Sequence, residues 1–319
     1  MLVRAIILGG TGAIGGAAAA RFAADGWDVD VTGRDQASMP DELAAAGVRF
    51  HSVHRSDVNA IERLVGTGAE VLVDLLAYRG ADVDALLPAL SSVACPVLIS
   101  GRAVYVDPAG RHLNGDVPPR FAGPISEQTP TLPAAGDGVD PFTREGYAPS
   151  KVAAELVALN SGLPFTVIRP SKVHGRWARN PRTRFFIERM LRGDGSIALA
   201  HRGATVDHLT AATNTAALIT AVAVAPEARV LNSADPDAPT AEQIVRVIAT
   251  RLGWTGSLDL QAESSDPGPG AHPWFTPHPI VLDTGASERL GYQPVGTGVE
   301  LLHDEIDWVV GQLVRGRQA

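Results

Sequence analysis

The chain has 319 residues, of which 45% are hydrophobic and 19% charged, and this composition predicts a globular protein and excludes bulk disorder. Its 27 basic and 35 acidic residues give a net charge of −8, so neither nucleic acid nor an anionic membrane is an expected partner. A single cysteine, Cys95, excludes an internal disulfide, and no stretch reaches the roughly 18–20 apolar residues of a membrane span. We therefore expect a cytoplasmic protein.

The first residues carry the clearest pattern. An apolar run at 3–8 predicts a buried strand, the glycine-rich segment 9–16 follows directly, and the alanine-rich segment 17–24 predicts a helix. This order is what a phosphate-binding turn requires, because its glycines allow a sharp turn, open the backbone to a pyrophosphate and let the helix pack closely on the strand. The predicted cofactor contacts in this turn are Gly9, Thr11, Gly12, Ala13, Ile14 and Gly15. A glycine turn without a ligand is the alternative.

The second predicted strand, 26–32, is followed by Gly33 and Arg34. A site that prefers NAD usually ends this strand with an acidic residue that binds the ribose hydroxyls. Gly33 is expected to leave room for a 2′-phosphate, and the forked donors of Arg34 can pair with it. The prediction is NADP(H), with NAD(H) less favoured; a merely solvated Arg34 is the alternative. Asp57 follows the third strand and is assigned to the cofactor site, where it could bind the adenine amino group. It could equally cap the next helix, and the two roles are compatible.

Further strands and helices continue the alternation. A helix predicted at 82–90 contains Pro88, which should kink it or end it early. The irregular segment 107–142 is expected to form one wall of a substrate cleft. Further strands are predicted at 48–53, 70–77, 96–100, 165–170 and 228–232, and later helices at 185–192, 210–225, 240–252, 287–290 and 300–314.

This alternation predicts an α/β fold, a Rossmann-type doubly wound parallel sheet with a smaller C-terminal α/β part. We assign 1–170 to an NADP-binding domain, with returning segments near 205–232 and 280–284. The remainder, 171–319, is assigned mainly to substrate binding.

Tyr147 lies four residues before Lys151, where a predicted helical run begins. If the helix includes Tyr147, the two side chains lie one turn apart on one face. Pro149 would then sit near the helix start, where its missing N–H costs little.

Together these segments resemble the extended branch of the short-chain dehydrogenase/reductase superfamily, which contains nucleotide-sugar epimerases, dehydratases and related reductases. The resemblance follows the glycine turn, Val104-Tyr105, Tyr147-x-x-x-Lys151, and the segments 169–175 and 290–294 in order along nearly the whole chain. It implies that the tyrosine exchanges a proton with the substrate while hydride moves to or from the nicotinamide. It also implies that the lysine lowers the pKa of the tyrosine and binds the nicotinamide ribose. Further cofactor contacts predicted with it are Leu76, Ser100, Pro170 and Val173.

One position departs from the family pattern. A Ser or Thr usually stands four residues before the tyrosine of the Val-Tyr pair, where this chain has Gly101. Either the adjacent Ser100 serves, or another group serves, or the usual chemistry is weakened. Gly101-Arg102-Ala103 also replaces the Thr-Asp-Glu run of sugar dehydratases, which argues against dehydration.

Several side chains that follow strand ends could face a small-molecule substrate, with an ordinary surface or packing role as the alternative for each. They are Tyr78, Arg102, His174, Arg176 and His208. The histidines are not spaced like a zinc site, so no metal is predicted.

The first hypothesis is an NADP(H)-dependent oxidoreductase that interconverts a carbonyl and an alcohol. A nucleotide-sugar epimerase that retains its cofactor is the second. A non-catalytic NADP-binding or interaction protein is the third, and the missing hydroxyl at Gly101 is its support. The resemblance further implies a homodimer through the helices near 82–90 and 151–159.

Overall fold

The structure is a computed structural model that describes residues 3–263 and 268–316. Its strands are β1 (Arg4–Leu8), β2 (Asp28–Gly33), β3 (Arg49–Ser52), β4 (Ala69–Asp74), β5 (Val93–Ile99), β6 (Thr166–Pro170), β7 (Lys172–His174), β8 (Ser196–Leu199), β9 (Leu209–Ala211), β10 (Arg229–Ser233) and β11 (Ser257–Leu260). Its α-helices are α1 (Ala13–Ala24), α2 (Asp41–Ala45), α3 (Val58–Val65), α4 (Gly80–Asp84), α5 (Leu87–Leu90), α6 (Arg144–Asn160), α7 (Arg184–Arg192), α8 (Ala212–Ala223), α9 (Ala241–Leu252), α10 (Gly285–Glu288) and α11 (Gly298–Gly316).

Seven strands of this described part form one parallel sheet in the order β10-β6-β5-β4-β1-β2-β3. Alternate residues of β1 enter the two cores on either face of the sheet: Ile7 packs with α1 and α8, and Ile6 packs with α3 and α6. Apolar strands covered on both faces are typical of parallel sheets. The predicted Rossmann-type fold class is confirmed.

The strand order reverses at β1, because β2 and β3 extend the sheet on one side and β4, β5 and β6 extend it on the other. Leu8 pairs with both Thr32 and Asp74, so the ends of β1, β2 and β4 lie at the same edge. In doubly wound sheets ligands bind at the carboxyl edge beside such a switch point.

The helix predicted at 82–90 is interrupted, as expected from Pro88: it is two short helices, α4 and α5, and Pro88 lies in the first turn of the second. The predicted position of Pro149 near a helix start is wrong. Pro149 lies inside α6, because the hydroxyl of Thr143 accepts a hydrogen bond from the Gly146 amide at 3.0 Å and starts the helix earlier than expected. Tyr147 and Lys151 both lie on α6, one turn apart.

The chain after β6 builds a second layer and also returns to the sheet. β10 pairs with β6, β7 with β9 and β8 with β11. Helices α7, α9 and α11 surround the fully buried Trp274, which stacks on Phe186 with ring centroids 5.7 Å apart. Leu282 pairs with Ile125, which fixes the irregular segment after β5 against the C-terminal part. None of the helices in 3–263 and 268–316 is long and apolar enough to cross a membrane.

Candidate active site

The glycine turn after β1 has the geometry of a phosphate cradle. Gly9 has a φ of +93°, in the left-handed region that side chains rarely adopt. A Cβ at Gly15 would lie 2.4 Å from the Gly9 carbonyl oxygen, so only glycine lets α1 pack this closely. A Cβ at Gly12 would meet no atom within 4 Å, and Gly12 directly precedes the first turn of α1 with its free N–H groups. The turn is therefore open where an anion would bind.

The end of β2 differs from expectation. The ring of Phe50 occupies the space beside Gly33, because a Cβ there would lie 2.7 Å from Phe50 Cε2. The room predicted for a 2′-phosphate is therefore not at the Gly33 side-chain position. Arg34 is exposed, and its side chain makes no hydrogen bond or ion pair with the described residues. Asp57 caps α3 by accepting from the Ala60 amide at 3.0 Å.

A cleft of about 690 Å³ opens at the carboxyl ends of β4, β5 and β6. It brings together eight of the predicted site residues: Ile14, Tyr78, Ser100, Arg102, Tyr147, Lys151, Pro170 and Val173. Leu75 lines it, whereas the predicted Leu76 packs beneath the Gly9 turn, 3.0 Å from where a Gly9 Cβ would stand. The irregular segment after β5 contributes Leu113, Asn114 and Asp116 and so forms one wall, as predicted.

Lys151 is almost completely buried, and backbone oxygens hold its ammonium group. Nζ donates to the carbonyls of Ala77 and Ile99, both at 2.8 Å, and lies 4.7 Å from the centre of the Tyr78 ring. Burial lowers the pKa of Lys151 to about 8, and the Asp74 carboxylate opposes this shift. The helix thus aims Lys151 at the ends of β4 and β5.

Tyr147 is half-buried, and burial raises its pKa to about 12, with a further contribution from Tyr78. The expectation that Lys151 lowers the pKa of Tyr147 is corrected. The physical reason is that two carbonyl oxygens hold the ammonium group and Tyr147 gains no opposing stabilisation of its phenolate. At neutral pH Tyr147 is a phenol, which is a proton donor.

Gly101, which stands where the resembled family usually has Ser or Thr, lies next to the Tyr147 hydroxyl. A Cβ at Gly101 would lie 3.5 Å from Tyr147 Oη, so the hydroxyl that the family pattern provides would stand beside the phenol. The adjacent Ser100 lines the same cleft, and its buried Oγ has no hydrogen-bond partner among the described residues. Ser100 is therefore available to a ligand in the cleft.

A buried charge cluster forms the other side of the cleft. Arg102 forms an ion pair with Asp207 and donates to Ser171 Oγ at 3.1 Å. Lys172 Nζ lies 2.5 Å from the second oxygen of Asp207, and Arg182 also lines the cleft. Lys172, Arg182 and Asp207 were not predicted as site residues. Lys172 lies within the segment 169–175, but nothing in the sequence links it to Arg182 and Asp207, which separate segments of the chain bring to Arg102.

The other three predicted substrate residues lie outside this cleft. His174 Nε2 hydrogen-bonds to Asp235 at 2.9 Å in the core. His208 is buried between the Asp235 carbonyl and the Leu282 amide, and burial lowers its pKa. Arg176 forms an ion pair with Glu42 and lies beside a separate surface pocket. His174 and His208 are corrected to structural roles, whereas Arg176 is an exposed residue outside the cleft whose predicted substrate role stays a prediction. No cluster of three or more potential metal ligands occurs within residues 3–263 and 268–316.

A buried ion pair holds α6 against the sheet, and Tyr105 packs beside it. Glu155, one turn after Lys151, forms an ion pair with Arg169 on β6, and the Arg169 guanidinium lies 4.8 Å from the centre of the Tyr105 ring. The Tyr105 hydroxyl donates to Asn232 on β10 at 2.7 Å. Tyr105 of the Val-Tyr pair is therefore a structural residue here.

This sheet order, glycine turn and Tyr-Lys helix define the fold of the extended short-chain dehydrogenase/reductases, and the predicted resemblance is confirmed at the level of the fold. No protein-family model and no curated protein sequence matches the chain. Among solved structures it is similar to a UDP-glucose 4-epimerase with UDP-glucose from Thermotoga maritima, at 18% identity and a TM-score of 0.72, covering 98% of this chain and 100% of that one.

Two further neighbours have the same architecture. A dTDP-glucose 4,6-dehydratase in complex with NAD from Bacillus anthracis has 17% identity and a TM-score of 0.72, covering 97% of each chain. A UDP-glucuronic acid 4-epimerase in complex with UDP-glucuronic acid and NAD from Bacillus cereus has 14% identity and a TM-score of 0.70, covering 97% of this chain and 100% of that one. At these identities the likeness concerns the fold.

Proposed function

We propose that the protein is a nicotinamide-dinucleotide-dependent oxidoreductase that reduces a carbonyl on a small molecule. The observation that carries the proposal is the placement of Tyr147 and Lys151 one helical turn apart in a cleft that adjoins the glycine turn. The open backbone at Gly12 fits a pyrophosphate, and the buried, unpartnered Ser100 Oγ fits a polar ligand atom beside it.

In this proposal, different residues of the chain bind the cofactor, donate the proton and orient the nicotinamide. The first turn of α1 binds the cofactor phosphates, and the exposed Arg34 binds the 2′-phosphate of NADP(H). When bound, the nicotinamide supplies a hydride to the carbonyl carbon. Tyr147 Oη then gives its proton to the carbonyl oxygen; burial raises the pKa of this group to about 12, so the phenol carries that proton at neutral pH. Lys151 lies against the ends of β4 and β5 and orients the nicotinamide ribose.

The test is turnover of NADPH and NADH with a panel of ketones and aldehydes, using wild type and Tyr147→Phe. We expect turnover with NADPH preferred, and a loss of at least about 100-fold in Tyr147→Phe, the scale of a general acid. Tyr292→Phe is the matched control, because it removes a phenol that lies in the core with α1 and α8. Equal rates in wild type and Tyr147→Phe would refute the proposal.

Epimerisation of a nucleotide sugar is the second candidate, and the similarity to UDP-sugar 4-epimerases supports it. An epimerase returns the hydride, so it would retain its cofactor through purification and consume no added NADPH. The amount of nicotinamide cofactor released from the denatured purified protein, measured together with the consumption of added NADPH, separates the two candidates.

A further inference from the structure

The cleft is positively charged although the chain carries a net charge of −8. Of the described residues that line it, five are basic and two are acidic. The basic ones are Arg102, Arg144, Lys151, Lys172 and Arg182, and the acidic ones are Asp116 and Asp207. Since the surface as a whole is acidic, this local excess is a property of the site.

The excess is concentrated around one carboxylate. Asp207 is 2% exposed and pairs with both Arg102 and Lys172. Arg182 adds a third cation to the same side of the cleft. The buried Glu305 beside Thr183 also attracts Arg182, so three cations face two carboxylates and one positive charge remains in excess.

These cations also keep hydrogen-bond donors to spare. Among the described residues, the Lys172 ammonium group has Asp207 as its partner. The Arg182 side chain makes one hydrogen bond, from Nη1 to the Val173 carbonyl at 3.3 Å. A guanidinium carries five N–H donors and an ammonium three, so most of them can face a ligand.

The position of the cluster relates it to the reacting group. Arg102 directly follows Gly101, whose Cβ position is 3.5 Å from Tyr147 Oη. Lys172 follows Pro170 and Ser171, which line the same cleft at the end of β6. The glycine turn, where the dinucleotide phosphates are proposed to bind, belongs to a different segment at the end of β1.

We propose that Arg102, Lys172 and Arg182 form a subsite for an oxyanion carried by the substrate itself, a carboxylate or a phosphate monoester next to the carbonyl that is reduced. This inference rests on the proposed function and names its substrate class. Arg102 and Arg182 recognise the planar or tetrahedral oxyanion through charge-assisted hydrogen bonds. Asp207 is a positioning residue that holds Arg102 and Lys172 side by side.

The electrostatics of the cluster agree with this role. Burial lowers the pKa of Lys172, and repulsion by Arg102 and Arg182 lowers it further against the attraction of Asp207. Burial and repulsion by Arg102 likewise lower the pKa of Arg182, against the attraction of Asp207 and Glu305. A bound oxyanion relieves the repulsion between these cations. The cluster is therefore more stable with the anion bound than without it.

The first experiment measures binding of inorganic phosphate and of acetate by isothermal titration calorimetry to wild type, Arg182→Gln and Arg184→Gln. Arg184 is the matched control, an exposed arginine two residues away that pairs with Glu188 on α7. We expect Arg182→Gln to weaken phosphate binding about 10-fold, the loss of one charged hydrogen bond, and Arg184→Gln to leave it within about twofold of wild type. Equal affinities in the three proteins overturn the subsite.

A second variant shows whether weaker binding results from the loss of a cation or from misfolding. Lys172→Gln removes one cation and leaves the Arg102–Asp207 ion pair in place. It is expected to weaken phosphate binding by a similar factor while circular dichroism matches wild type. Comparison of phosphate with acetate shows which oxyanion the subsite prefers. Binding of UDP at least about 100-fold tighter than phosphate, and dependent on Arg182, would place the oxyanion on a nucleotide and overturn the small-substrate form of the inference.

Turnover with matched substrates completes the test. The pairs are acetoacetate with its methyl ester, and dihydroxyacetone phosphate with dihydroxyacetone. We expect kcat/KM to favour the anionic member of a pair by at least about 10-fold, and Arg182→Gln to remove this preference mainly through KM. Tyr147-dependent turnover without this preference overturns the subsite and leaves the proposed function standing. Arg182-dependent phosphate binding without Tyr147-dependent turnover overturns the proposed function and leaves the anion-binding subsite standing.

Discussion

Replacing Gly101 by serine places a hydroxyl beside Tyr147, at a position where the family that the sequence resembles usually has Ser or Thr. The backbone accepts the change, because the φ of Gly101 is −178°, an extended conformation open to any residue. A Cβ there would lie 3.5 Å from Tyr147 Oη, which is ordinary van der Waals contact. The serine hydroxyl, one bond further out, can reach the space where a substrate oxygen would meet the phenol.

The expected gain follows from the value of one oriented donor. Removing such a donor from an evolved site costs roughly 10²–10³ in rate. A donor added to a site that has not adapted to it should recover a part of this, about 10-fold in kcat, which is about 1.4 kcal/mol of the barrier. Stability should hardly change, since the space is open and the backbone unstrained.

The assay compares kcat for carbonyl reduction in wild type, Gly101→Ser and Gly101→Ala. Alanine adds the same Cβ without the hydroxyl, so it isolates the donor from the loss of backbone freedom. A faster Gly101→Ser with Gly101→Ala near wild type supports the reasoning. Equal rates in both variants would refute it, and a drop of about 100-fold in Ser100→Ala would then identify Ser100 as the existing donor.

Four further outcomes are expected. Arg34→Gln should reduce the NADPH over NADH preference in kcat/KM by about 10-fold or more, through loss of a charged contact; an unchanged ratio contradicts the 2′-phosphate role. Glu155→Gln should lower the free energy of unfolding by about 3–5 kcal/mol in urea titrations, because Arg169 stays buried without its counter-charge. The pKa of Lys151 is about 8 in the fold and about 10.5 in its unperturbed state, so the unfolded chain holds this proton between these values and the contribution of Lys151 to stability rises with pH there. Burial raises the pKa of Cys95 to about 11, which acts in the opposite sense in both proteins. The quantity to measure is therefore the free energy of unfolding of wild type minus that of Lys151→Met, which should rise with pH across the window. Leu156, 46% exposed on α6, is proposed to lie in a homodimer interface, and Leu156→Arg should convert a dimer to a monomer in light scattering; a monomeric wild type contradicts this.

Features that depend on neighbours in the chain could be predicted from the sequence. The glycine turn is one, because a strand, a turn and a helix of contiguous residues define it, and Gly9 and Gly15 take the roles that steric reasoning assigned. The Tyr147–Lys151 spacing is another, since α-helical periodicity alone places both on one face. The parallel sheet follows from repeated apolar strands between helices.

Features that depend on contacts between distant segments could not be predicted. His174 and His208 follow strand ends, as ligand-binding residues often do, yet Asp235 from the segment after β10 binds Nε2 of each ring in the core. Gly33 suggested open space, but Phe50 from β3 fills it. Asp207, which gathers the cations of the cleft, lies far along the chain from Arg102 and carries no motif of its own.

The state of Tyr147 links these observations to the reaction. Spacing alone suggests that Lys151 stabilises a phenolate, but its ammonium group is held by the carbonyls of Ala77 and Ile99, which are backbone groups that no motif reveals. The phenol therefore stays protonated at neutral pH, and a protonated phenol is the acid that an incoming hydride requires on the adjacent oxygen. The cations around Asp207 line the other side of the same cleft, where we propose that they hold an oxyanion of the substrate itself. A site with glycine at position 101 thus still offers a phenolic proton donor on one side and an anion-binding cluster on the other.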